Sequence, residues 1–143
     1  MRKILHLLIL KLFVVFSLFS QKYDKNAVSI TIPNGVTVIE EYQFYEFKNL
    51  QTLKLPASVK KIGAHAFDCC TKLENIELPD SITEIGMYAF AECKSLKSIK
   101  IPSEVKKIDC GTFFECELLE TVVLPPNLKE ITDGCGTYGS FNR

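Results

Sequence analysis

The sequence predicts a solenoid of parallel strands, and three observations carry that prediction. A gapless 23-residue repeat runs along the chain, its apolar residues fall in fixed columns, and each copy holds one short alternating segment ending on proline. Residues 55–77 and 78–100 match at ten of 23 positions. Residues 32–54 and 101–123 keep the same apolar frame, and a fifth copy opens at Leu124 and fades. With position 1 at Ile32, Leu55, Leu78, Ile101 and Leu124, position 8 reads Ile39, Ile62, Ile85, Ile108, Ile131. Position 13 reads Phe44, Phe67, Phe90, Phe113, and position 19 is leucine in all four complete copies. Like residues at a fixed period stack from coil to coil into one continuous core.

The elements follow in chain order. Met1-Arg2-Lys3 and the apolar run that follows, interrupted by Lys11, read residues 1–20 as a secretory signal peptide, with Ser17 or Ser20 before the cut. The competing reading is an uncleaved anchor, for which the run is shorter than the roughly 20 apolar residues of a spanning helix. Cleavage would leave 14 basic residues against 17 acidic, a mildly acidic mature chain. Residues 21–31 supply an N-terminal cap and a first strand; residues 32–131 are the repeats. Alternating segments place strands at 29–32, 52–55, 75–78, 98–101 and 121–124, each stopped by a proline that cannot donate to a ladder. The long connections between them make successive strands parallel. The Ala-Phe pairs (Ala66-Phe67, Ala89-Phe90) lie in a segment suited to one helical or 3₁₀ turn. Gly63, Gly86 and Asp109 at position 9 suggest a left-handed backbone there. Residues 132–143 lose the columns and form a degenerate, loosely ordered end.

The pattern L-P-x-S-V-x-x-I-G-x-x-A-F-x-x-C-x-x-L-x-x-I closely resembles the BspA-like leucine-rich repeat, over residues 29–135. The resemblance implies a leucine-rich-repeat solenoid of about five coils and a secreted or extracellular surface protein. It also implies a non-enzymatic role in protein binding and adhesion.

The remaining motifs point away from chemistry. Gly134-Cys135-Gly136-Thr137-Tyr138-Gly139 spells a dinucleotide fingerprint but lacks the strand before it and the helix after it. Cys70, Cys93 and Cys116 share position 16 with Phe47, so the column reads as packing, with free thiols. A disulfide stays open as an alternative in an oxidising compartment, with Cys110 and Cys135 the best-placed pair and Cys69 outside the column. No Cys or His spacing suits a metal, and no cofactor is expected. His65, in a column with Tyr42, Tyr88 and Gly111, has no nucleophile and carboxylate to make a triad, so no catalytic residue is assigned. Seventeen basic residues against 17 acidic ones argue against nucleic-acid capture. Past residue 20 there is no second apolar run to span a membrane.

The expected binding surface is the strand face, because position 22 points into the core and positions 21 and 23 point out. Its residues are Thr52, Lys54, Asn75, Glu77, Ser98, Lys100, Thr121 and Val123, and Lys54–Glu77–Lys100 would alternate in charge across neighbouring strands. Five short strands make a patch of roughly 300 Å², below the ~800 Å² per partner of a standard interface, so one copy binds weakly without self-association or display in many copies. Two other readings stand beside this one: a truncated repeat fragment with only a structural role, and an intracellular protein-interaction scaffold.

Overall fold

A computed structural model describes residues 23–132. It contains ten short strands: β1 (Ser29–Thr31), β2 (Val38–Ile39), β3 (Thr52–Lys54), β4 (Lys61–Ile62), β5 (Asn75–Glu77), β6 (Glu84–Ile85), β7 (Ser98–Lys100), β8 (Lys107–Ile108), β9 (Thr121–Val123) and β10 (Glu130–Ile131). The odd-numbered strands form one parallel sheet in the order β1-β3-β5-β7-β9. Its register is the repeat itself: Ser29 faces Thr52, which faces Asn75, which faces Ser98, which faces Thr121. The even-numbered strands add a second parallel wall, split into β2-β4-β6 and β8-β10. This second strand per coil was not anticipated, because two residues are too few for alternation to register.

Proline connects the two walls. Each position-2 proline carbonyl accepts the N–H three residues on, as in Pro56 from Val59 at 3.1 Å and Pro79 from Ile82 at 3.0 Å, turning the chain from one strand to the next. The stretch between the second strand and the next coil is where a helical or 3₁₀ turn was expected. Among the described residues there is no helix. Positions 11 and 15 are left-handed instead: Tyr42 at φ 56°, His65 and Tyr88 at 53°, Cys69 at 61° and Glu92 at 51° among them. A left-handed residue at every fourth position breaks a helix after one turn. It also aims backbone amides along the solenoid axis. The N–H groups of His65, Phe67 and Cys69 donate to the carbonyls of Met87, Ala89 and Ala91 in the next coil at 2.8–2.9 Å. The turns thus form a third ladder between coils, which is what holds the strained backbone.

Gly63 and Gly86 do not have the left-handed backbone expected of them; the positive-φ glycines are Gly35 and Gly111. They are needed for space. A Cβ on Gly86 would lie 2.6 Å from the backbone nitrogen of Ala64, and one on Gly63 2.6 Å from that of Glu41. The second wall breaks between β6 and β8, where Asp109 takes the glycine's place.

The core is the predicted set of columns. Phe44, Phe67, Phe90 and Phe113 stack with centroids 5.5, 5.2 and 6.0 Å apart and rings within 14° of parallel. Cys70, Cys93 and Cys116 are free thiols in that core, each donating to the position-13 carbonyl of the coil before at 3.1–3.2 Å. Tyr23 packs on Phe44 at 5.2 Å and closes the first coil. Cys110 is disulfide-bonded. Residues 1–20, Cys135 and the glycine-rich motif at 134–139 lie outside the described residues.

Candidate functional site

The eight predicted residues lie together on the outer face of the long sheet. β3, β5 and β7 each run exposed–buried–exposed, so Thr52, Lys54, Asn75, Glu77, Ser98 and Lys100 face solvent while Leu53, Ile76 and Ile99 enter the core. Thr121 and Val123 continue the face on β9, with Val123 50% exposed.

The face is not uniform. At its ends the strands close fully: Ile32 N–H donates to Lys54 C=O, and Ile101 N–H to Val123 C=O, each at 2.9 Å. Between β5 and β7 the paired register is confined to Asn75–Ser98. A groove of about 720 Å³ opens there, with Asn75, Glu77, Ser98 and Lys100 on its walls and the half-buried Leu55 and Leu78 beneath. Four of the eight predicted residues therefore line a concave feature that neither their spacing nor their chemistry announced.

The expected charge ladder is not there. None of Lys54, Glu77 and Lys100 forms an ion pair among the described residues. Lys54 and Glu77 stand in register, but Glu77 and Lys100 lie beyond the paired register of β5 and β7. Cross-strand charge alternation occurs on the second wall instead, at position 7. Lys61 pairs with Glu84 at 2.9 Å, and Lys107 with Glu130 at 3.4 Å and with Asp109 at 3.0 Å. The signal was present in the column Lys61, Glu84, Lys107, Glu130, which alternates in sign just as position 23 does. Such exposed pairs contribute ~0–1 kcal/mol each.

A second feature was missed outright. Tyr42, His65 and Tyr88, on successive turns, stack with centroids 4.7 and 5.1 Å apart and rings within 7° of parallel. His65 Nδ1 lies 2.9 Å from Asp68 Oδ2, so a carboxylate does orient the ring, which the sequence had not suggested. Gly111 ends the stack, since a Cβ there would fall 2.3 Å from the Tyr88 ring. Beside it Asp68, Cys69 and Glu92 bring ligand atoms within 4.8 Å of one another. Burial first, then the Asp68 carboxylate, pushes the Cys69 thiol up to about 12, away from the thiolate that binds metals or attacks substrates.

Chain comparisons agree with this architecture. The family model for the BspA type leucine rich repeat region matches residues 17–139, in six copies. The chain belongs to the BspA-type leucine-rich repeat family. A leucine rich cell surface protein from Faecalibacterium prausnitzii shares 36% identity at a TM-score of 0.70, over 80% of this chain and 31% of that one. A leucine-rich repeat protein from Bacteroides capillosus shares 34% at 0.64, over 71% and 82%. The leucine rich repeat protein of T. pallidum shares 31% at 0.55, over 74% and 69%. This BspA-type chain thus spans about a third of the length of the F. prausnitzii protein. Comparison with curated proteins finds no match. Among the described residues no helix is long and apolar enough to cross a membrane.

Proposed function

We propose that this BspA-type chain is a non-enzymatic binding module, secreted or displayed at a cell surface, that adheres to a protein ligand through the outer face of its long sheet. The observation that carries the reading is the set of exposed charges on that face, Lys54, Glu77 and Lys100, unpaired among the described residues beside an open groove. On the second wall the comparable charges neutralise one another across strands. A surface that spends its charges on internal pairs is poorly suited to steer a partner, and one that leaves them open is well suited. Residues 1–20, with their basic start and apolar run, support export, and the F. prausnitzii relative described as a cell surface protein supports the location.

The test is capture of surface proteins from neighbouring cells by the full chain and by a Lys54→Glu, Lys100→Glu variant. The variant is expected to lose most of the capture with an unchanged circular dichroism spectrum. Full capture by a variant with that unchanged spectrum moves the site to another face.

A further inference from the structure

The turn side of the first three coils, positions 9 to 15, differs in charge from the rest of those coils. Residues 40–46, 63–69 and 86–92 hold five carboxylates, Glu40, Glu41, Glu46, Asp68 and Glu92, and no lysine or arginine. The eight lysines of residues 32–100 all lie elsewhere on their coils. The same side carries the aromatic stack. Tyr42, at its end, is 50% exposed; Tyr45 meets it at 85° with centroids 5.7 Å apart and is itself 38% exposed. Rings and carboxylates form one surface. His65 joins the stack to Asp68. Tyr45 lies in the field of Cys69, Glu46, Asp68 and Glu92, in that order of strength, which raises its phenol above the ordinary 10.0.

The charges on this surface are only partly answered. Glu46 has Lys25 and Lys48 at 3.4 and 3.6 Å, and Asp68 has His65. Glu92 forms no ion pair among the described residues. Its carboxylate lies within 4.8 Å of that of Asp68, and like charges this close are unfavourable until a cation joins them. We infer that the turn side is a second docking surface, which takes an arginine-rich segment of a partner protein. Guanidinium groups stack on the exposed tyrosines and fork to the carboxylates beside them. A guanidinium suits both contacts, whereas an ammonium is a compact charge without the planar fork. A metal ion is poorly served, because Cys69, the third member of that cluster, keeps its proton up to about 12. The two carboxylates that remain are few for a hard cation, which takes about six oxygens or more. The turn side is a different part of the coil from the strand face at positions 21 to 23, so both can be occupied at once.

The test is fluorescence anisotropy of dye-labelled octa-arginine titrated with the full chain at physiological salt, with octa-lysine, equal in charge, as the reference. Octa-arginine is expected to bind at least about tenfold more tightly, because rings and forks discriminate where net charge does not. Tyr45→Ser with Glu92→Gln should weaken that binding at least about tenfold with an unchanged circular dichroism spectrum. Glu92→Gln alone serves if the double variant unfolds. Lys54→Glu with Lys100→Glu, on the long sheet, should bind octa-arginine as the wild type does, so the two surfaces stand or fall separately. Absence of octa-arginine binding, equal binding of octa-lysine, or undiminished binding by a folded turn-side variant overturns the inference.

Discussion

At position 16 the first coil carries Phe47 and the next three carry cysteine, and the exchange shows what a buried thiol contributes. Each fills its place in the core and adds a weak hydrogen bond to a carbonyl of the preceding coil that already accepts a backbone N–H. Burial is also the main influence on their acidity. It pushes Cys70 and Cys116 from the ordinary 9.0 up to about 12, and Cys93 well above the ordinary value. Cys69, on the surface side, reaches about 12 through burial and the Asp68 charge. The sign of the linkage follows. Below pH 9 the thiols are protonated in both states and stability is full; as pH rises from 9 toward 12 the unfolded chain ionises first and draws the equilibrium to itself. Thermal melts at rising pH should show the midpoint level up to about pH 8 and falling steadily above 9. Native protein at pH 8 should correspondingly resist thiol reagents that label it after denaturation. A midpoint insensitive to alkaline pH would mean that these thiols are not held in the core.

Among the elements, the second wall depends on close approach. Gly86 lies against the Ala64 backbone, where a Cβ would come within 2.6 Å, and its N–H donates to Ile62 C=O at 2.9 Å. Gly86→Ala should therefore cost about 2 kcal/mol or more by chemical denaturation, since backbone cannot yield as a side-chain tip can. A cost near zero would show that the walls are loosely seated. The sequence pointed to this glycine but for another reason, because glycine serves both left-handed backbone and tight packing and only the neighbouring coil tells them apart. The left-handed residues were illegible for the opposite reason. Tyr42, Tyr88 and Glu92 have no preference for that conformation, and inter-coil amide bonds impose it on them. The short second strands escaped notice because Lys61-Ile62 and Glu84-Ile85 are only two residues long.

For the whole molecule, the fold was legible because stacking writes itself into columns: Phe44, Phe67, Phe90 and Phe113 recur because each ring is the floor for the next. The site was legible only in part, since exposed positions are released from that constraint. Strand alternation placed Thr52 to Val123 on one face correctly. It could not reveal that the β5–β7 register is confined to Asn75–Ser98, or that a groove is lined there by Glu77 and Lys100. The central claim is that this face, and not the second wall, meets the partner. Lysine acetylation of the full chain, alone and bound to captured surface proteins, read by mass spectrometry, compares the two directly. Lys54 and Lys100 should be protected on binding while Lys61 and Lys107, exposed on the second wall, label as before. Protection of Lys61 and Lys107 with Lys54 and Lys100 still reactive would contradict it.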